Sequence, residues 1–105
     1  MKVLVIGSNG LVGSPFPKLL GEDHIYHTRK DVDLTDEKLT KEYITHHVKH
    51  SGVDTIINCG AKIGGVQANI LDNEGYFIQN YIMSNNVINA AYENNVKNFV
   101  IFRDI

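Results

Sequence analysis

Lys2-Val3-Leu4-Val5-Ile6-Gly7-Ser8-Asn9-Gly10-Leu11-Val12-Gly13 is the stretch that decides the fold. The run up to Ile6 is continuously apolar after its lysine, without the alternation of a half-wet strand. It predicts a strand buried on both faces, as in parallel sheets. Glycines then recur as G-x-x-G-x-x-G. Gly7 permits a tight strand-to-helix turn, Gly10 lets the backbone approach a pyrophosphate, and Gly13 lets the following helix pack closely on the sheet. Amide groups at the start of that helix would point at phosphates, and the helix dipole favours their charge. Three glycines alone are a weak signal. Directly after a strand, at the head of a strand-helix-strand unit, they are a strong one. The bland alternative is a glycine turn that holds nothing. Pro15 and Pro17 interrupt the helix expected over Leu11–Leu20. A proline in a helix interior costs about 3 kcal/mol, so this helix should be delayed, kinked or weakened.

Outward from this stretch, short β-rich runs alternate with helical ones. Strands are expected over Lys2–Ile6, His24–Thr28, Val53–Asn58 and Asn98–Phe102, with a possible short fifth near Val32–Leu34. Helices are expected over Thr35–His50, where Asp36 and Glu37 place negative charge in the first turn, and over Glu74–Asn94. The alternation predicts an α/β fold, a Rossmann-like parallel sheet with flanking helices. Such sheets usually continue further, so this one is expected to be truncated after about four or five strands. The 105 residues suffice for one small domain, taken as a partial NADP-binding domain over 1–105. A net charge of −2 offers no basic footprint for a nucleic acid. Apolar runs fall far short of the roughly 18 residues a membrane span needs. A cytoplasmic location is the resulting expectation. Cys59, as the single cysteine, excludes an internal disulfide.

The adenosine end of a dinucleotide site lies after the second strand. An acidic residue there would hold a ribose 2′-hydroxyl, whereas an arginine accommodates a 2′-phosphate. Arg29, with Lys30 beside it, therefore favours NADP over NAD, unless both are solvated surface charges. Asp33 could accept from the adenine amino group, next to Leu34. Thr35 or Asp36 suits a helix N-cap.

The glycine loop, Thr28-Arg29, Asp33-Leu34-Thr35-Asp36, Asn58-Cys59-Gly60-Ala61-Lys62-Ile63-Gly64-Gly65-Val66 and Gln79-Asn80 together resemble extended short-chain dehydrogenases/reductases. Ala61 to Asn69, which reads A-K-I-G-G-V-Q-A-N, is similar to the GDP-L-fucose synthases among them, which are GDP-4-keto-6-deoxymannose epimerase-reductases. The resemblance covers essentially the whole chain but only about a third of that family's length. It implies NADPH as hydride donor, a GDP-linked keto-sugar as substrate when the rest of the protein is present, and a cytoplasmic homodimer. It assigns Gly7, Ser8, Asn9, Gly10, Leu11, Val12 and Gly13 to the cofactor loop and Arg29 to the 2′-phosphate. Gly60 and Ala61 would lie along the cofactor ribose. Lys62, Gly64 and Gly65 would line the nicotinamide and sugar. The family continues past its last matching strand with a Gly-Ser-Ser turn, a Tyr-x-x-x-Lys pair, and Cys and His acid/base residues. Here Phe102 is followed by Arg103-Asp104-Ile105. Tyr92 is followed four residues later by Val96, so no substitute pair stands there. No catalytic residue is therefore assigned, the isolated chain is expected to be inactive with weak NADP binding, and a truncated or frameshifted reading frame is inferred.

Other constellations carry less. His46 and His50 stand four apart on one helix but lack the further ligands a zinc site wants, so no metal is expected. His47 falls among Leu39, Tyr43, Ile44 and Val48 on the face expected to pack on the sheet. Cys59 reads as a small buried hydrophobe. Phe77, Tyr81, Ser84, Ile88 and Ala91 read as the core stripe of the last helix. Asn80 either braces the active-site backbone or is an exposed helix residue. Two rival functions remain: a related NAD(P)-dependent nucleotide-sugar epimerase/dehydratase, separable by NADPH against NADH binding, and a non-catalytic nucleotide-binding module.

Overall fold

The computed structural model describes residues 1–10, 12–59 and 73–101, with backbone only for residues 73–77. It contains strands β1 (Val3–Ile6), β2 (Ile25–Tyr26), β3 (Thr55–Asn58) and β4 (Asn98–Ile101). Helices α1 (Phe16–Leu20), α2 (Glu37–His50) and α3 (Asn73–Glu93) connect or flank them. The sheet is parallel throughout, in the order β2-β1-β3-β4. Val3 to Ile6 stand opposite Thr55 to Asn58, and these in turn oppose Asn98 to Ile101. From β1 the chain steps outward to β2, then crosses back over β1 to β3. The direction therefore reverses between β1 and β3, and an open α/β sheet offers its ligand crevice at the carboxyl ends of such strands. This is the Rossmann-like arrangement expected from the alternating pattern.

All four residues of β1 are buried, as a strand covered on both faces requires. Leu4 and Ile6 pack with Ile44, Ile56, Val87, Ala90 and Ala91 on the side of α2 and α3. Val3, Val5 and Cys59 pack on the other side with Val12 and, from α1, Phe16 and Leu20.

The prolines act as anticipated. After turns at 12–15, α1 begins only at Phe16, with Pro15 as N-cap and Pro17 in its first turn, and lasts five residues. Pro17 has no N–H to give the Gly13 carbonyl, which accepts instead from Phe16 N–H at 3.1 Å. Val32–Leu34 is not a strand. Val32 and Leu34 are buried and Asp33 is exposed, an alternation that imitates a strand but belongs to a turn. In α2, Asp36 is the N-cap, accepting from Leu39 N–H at 2.9 Å. Leu39 itself is exposed, and the wholly buried position beside it is Thr40.

The stripe expected to bury α3 is corrected. Of the expected stripe Ala91 is buried and Ser84 half-buried, but Tyr81 is 65% exposed and Ile88 40%, and the other buried residues among those described are Asn86, Val87 and Ala90. At 100° per residue the inward face is turned by roughly 120° from the expected one. Both sides of α3 carry apolar residues, so periodicity alone did not choose between them. Phe77 lies where only backbone is described.

Candidate functional site

At the carboxyl end of β1 the chain turns through Gly7 with φ 76°, a left-handed conformation that a side chain would strain. The Gly7 carbonyl accepts from Gly10 N–H at 3.2 Å and closes the turn. Gly13 returns against it. A Cβ on Gly13 would overlap the Gly7 carbonyl oxygen and stand 2.9 Å from Ser8 Cα, so backbone crowding alone demands glycine there. Gly10 differs. Among the described residues, a Cβ at Gly10 would meet only the Gly7 oxygen, at 3.5 Å, an ordinary contact. Packing among the described residues does not require glycine at position 10, whereas a ligand approaching the backbone would.

The loop opens on a cleft of about 370 Å³ lined by Gly7, Asn9, Gly10, His27, Arg29 and Asp33 among others. Of the residues singled out in the sequence, Leu34 also lines it. Ser8 is buried and donates its N–H to the His27 carbonyl at 2.7 Å, so it holds the loop from beneath. Val12 packs on the core side. Leu11, Gly60, Ala61, Lys62, Gly64 and Gly65 lie outside the described residues. The helix start expected at the loop is displaced. Since α1 opens only at Phe16, the amides facing the cleft belong to turns, and a five-residue helix adds little dipole.

Arg29, also on the cleft wall, is exposed near Asp33. The Asp33 Oδ1 accepts from Thr35 N–H at 2.9 Å and from the Thr35 hydroxyl at 2.8 Å. These two bonds, with Arg29 nearby, hold the carboxyl below its usual range. Only the second carboxylate oxygen remains for a ligand. Asn86 of α3 donates to the Leu34 carbonyl at 2.8 Å and ties this turn to the core. Half-buried Asn80 and exposed Gln79 stand on the same helix, Gln79 on the cleft wall.

His27, Val32, Thr35, Cys59 and Met83, none of them assigned a site role from sequence, also line the cleft. His27 held one readable signal: it directly precedes Thr28-Arg29 at the end of the second strand. Burial pushes the Cys59 thiol up, which removes thiolate character. The spacing Tyr-x-x-x-Lys does occur at Tyr26 and Lys30. That pair joins a strand end to a turn instead of one helix face, and the Tyr26 hydroxyl donates to the Gly21 carbonyl. His46 and His50 have ring centroids 5.0 Å apart, and among the described residues no three His, Cys, Asp or Glu side chains form a metal-holding group. No helix among the described residues is long and apolar enough to cross a membrane.

Known proteins share this arrangement. The GDP-L-colitose synthase of Yersinia pseudotuberculosis is 32% identical over 100 residues, which are 92% of this chain and 31% of that protein. The GDP-L-fucose synthase of Escherichia coli K12 is 26% identical over 99 residues, 90% of this chain and 30% of that protein. The chain thus spans less than a third of the length of these relatives. Among solved structures, a GDP-mannoheptose C4 reductase from Campylobacter jejuni, with NADP bound, superposes with a TM-score of 0.80. It is 23% identical and covers 96% of this chain and 32% of its own, a likeness of fold. Residues 3–103 match the NAD dependent epimerase/dehydratase family, and this chain belongs to that family.

Proposed function

We propose that these residues form the NADP-binding part of a GDP-4-keto-6-deoxymannose 3,5-epimerase-4-reductase, an enzyme of GDP-L-fucose synthesis. The carrying observation is one cleft lined by both the glycine turn and an exposed arginine. The names of the relatives support the GDP-sugar half of the reading. The cofactor's pyrophosphate would lie over Gly10, where packing among the described residues leaves room for a Cβ. Its 2′-phosphate would meet Arg29, and its adenine would rest against the turn at Val32–Leu34. Of the residues outside the described set, Gly60, Ala61 and Lys62 would follow the ribose, and Gly64 and Gly65 would adjoin the sugar. When bound, NADPH supplies a hydride for the sugar C4 carbonyl. These residues bind and orient the cofactor. Proton transfer at C3 and C5 belongs to groups that this part does not supply, and the whole enzyme would work as a cytoplasmic homodimer.

Calorimetric titration of NADP and NAD into the 105-residue chain tests the cofactor assignment. A charge-assisted contact is worth about 1.5–3 kcal/mol, so NADP should bind roughly ten- to a hundredfold more tightly, though weakly in absolute terms. Arg29→Ala should remove that preference and leave NAD binding nearly unchanged. Equal affinity for the two cofactors in the parent chain would overturn the role of Arg29. With GDP-4-keto-6-deoxymannose present, the chain alone should oxidise NADPH no faster than buffer, and measurable turnover would refute the division of labour.

A further inference from the structure

We propose that His27 is a positioning residue of this cleft: its neutral imidazole, protonated on Nε2, ties the glycine turn to the adenosine-side turn and fixes their spacing. The proposal deepens the reading of the cleft as a dinucleotide site and rests on it for its ligand.

The protonation state follows from the partners. Gly7 N–H can only donate, and it donates to His27 Nδ1 at 3.0 Å. The Val32 carbonyl can only accept, and it stands 2.9 Å from Nε2. Nδ1 is therefore bare and Nε2 carries the proton. A second proton would set Nδ1–H against Gly7 N–H, donor against donor, and break the link. With His27 only 2% exposed, water cannot readily replace a lost partner.

The ring is also fixed in place. His27 N–H donates to the Val5 carbonyl at 2.8 Å, and its carbonyl accepts from Ser8 N–H at 2.7 Å. On one side the link reaches Gly7, whose carbonyl holds Gly10 N–H at 3.2 Å, so the setting of Gly7 is passed to Gly10 on the cleft wall. On the other side His27 holds the Val32 carbonyl while Asn86 holds that of Leu34, and exposed Asp33 lies between the two anchors. A histidine that merely completed the core would not join two separate turns, at Gly7 and Val32, that line a cleft whose wall it also forms.

The groups around it set its response to acid. From α2 come Tyr43, edge-on at 5.5 Å, and behind it His47, 4.6 Å from Tyr43. The turns contribute the Asp31 and Asp33 carboxylates and the Arg29 guanidinium, and the end of β3 contributes Cys59. The α3 residues on the cleft wall, Gln79 and Met83, are uncharged. Burial outweighs the Val32 carbonyl and Asp31 and holds the ring below its ordinary pKa of 6.5. The clip is therefore closed at neutral pH and opens only in acid.

Side-chain ¹⁵N spectra and amide exchange of the cofactor-free chain test the clip directly. His27 should show the Nε2–H tautomer at pH 7 and titrate below 6.5, and the Gly7 amide should be protected until it does. A charged ring or the opposite tautomer at pH 7, or an unprotected Gly7 amide, would overturn the proposal whatever the cofactor does. Calorimetry then reads the consequence for binding. NADP affinity should fall about tenfold as His27 protonates, the scale of one lost buried hydrogen bond. NAD is titrated alongside, because a phosphate monoester itself titrates near pH ~6 and NAD carries none. His27→Asn, which retains an acceptor but cannot titrate, should bind without that step. A step of equal size in His27→Asn would assign the pH dependence elsewhere and overturn the role of His27. A protected Gly7 with no binding of either cofactor would instead uphold the clip and defeat the NADP reading.

Discussion

Two glycines in one loop do different work, and substitution should separate them. Gly13→Ala pushes a Cβ into the backbone of Gly7 and Ser8, which cannot step aside as a flexible side chain would. It should cost about 2–4 kcal/mol of stability, the range of a forced overpacking, read as a loss of denaturation midpoint. Gly10→Ala should leave stability within about 1 kcal/mol while weakening cofactor binding at least as much as Arg29→Ala. A large stability loss in Gly10→Ala would return that glycine to an ordinary turn. The histidines give a second prediction at this scale. Burial holds both His27 and His47 below 6.5 in the folded chain, with His46 adding to the effect at His47. Below that pH the unfolded chain binds protons the folded one refuses, so stability is full above about pH 6.5 and falls through the folded values. Urea midpoints between pH 7.5 and 5 should decline, and less steeply in His47→Gln. A flat profile would refute the burial argument. The turn at Gly7 and the close packing at Gly13 were legible in the sequence because residue type and spacing carry them. His27 and Asn86 were not, because their roles depend on backbone carbonyls that only the folded chain brings to them.

The elements show where local signals suffice. Strand and helix order could be read directly, since unbroken apolar runs and capping residues report on their own neighbours. Asp36 illustrates this: it stands where a cap was sought and accepts from Leu39 N–H. Asp36→Ala should cost about 1 kcal/mol, checked by thermal melts. The prolines were equally legible, and their result was a helix cut to five residues. What failed was the orientation of α3 and the turn at Val32–Leu34. In α3 both faces are apolar, so the choice belongs to the partners, namely Leu4, Ile6 and Ile56 of the sheet, and not to the helix itself. In α2 the buried residue Thr40 replaces Leu39 at the core, and among the described residues its hydroxyl has no hydrogen-bond partner. Thr40→Val keeps the shape and removes the orphan oxygen. It should raise stability by about 1 kcal/mol, and a loss of that size would show that the hydroxyl has a partner after all.

At the scale of the whole molecule, the features that bury the core also leave an apolar surface outside it. On α3, Ile78, Tyr81, Ile82, Ile88 and Tyr92 are 38–83% exposed. At 100° per residue they fall within one sector of roughly 120°, opposite the face that carries Val87 and Ala90. From Ile78 to Tyr92 the stripe runs about 21 Å at 1.5 Å per residue. It is also self-complementary: in an antiparallel pair centred on Asn85, Ile78 meets Tyr92 and Ile82 meets Ile88, the requirement of an isologous two-fold contact. A second apolar region adjoins β4, which pairs with β3 on one side among the described residues and has Val100 44% exposed. An open strand edge invites further pairing. The ion pair of Lys41 with Glu93 at 2.7 Å is solvent-exposed and adds little against association. The 105-residue chain should therefore self-associate with rising concentration. Light scattering should show a mass that grows over the micromolar range, and Tyr81→Lys with Ile88→Lys should return it toward the monomer without lowering unfolding stability by more than about 0.5 kcal/mol, as expected of exposed sites. Val100→Lys separates the two surfaces. If it alone restores the monomer, the strand edge is the contact. If the α3 pair does, the helix is. A parent chain that stays monomeric at every concentration would show that neither surface associates.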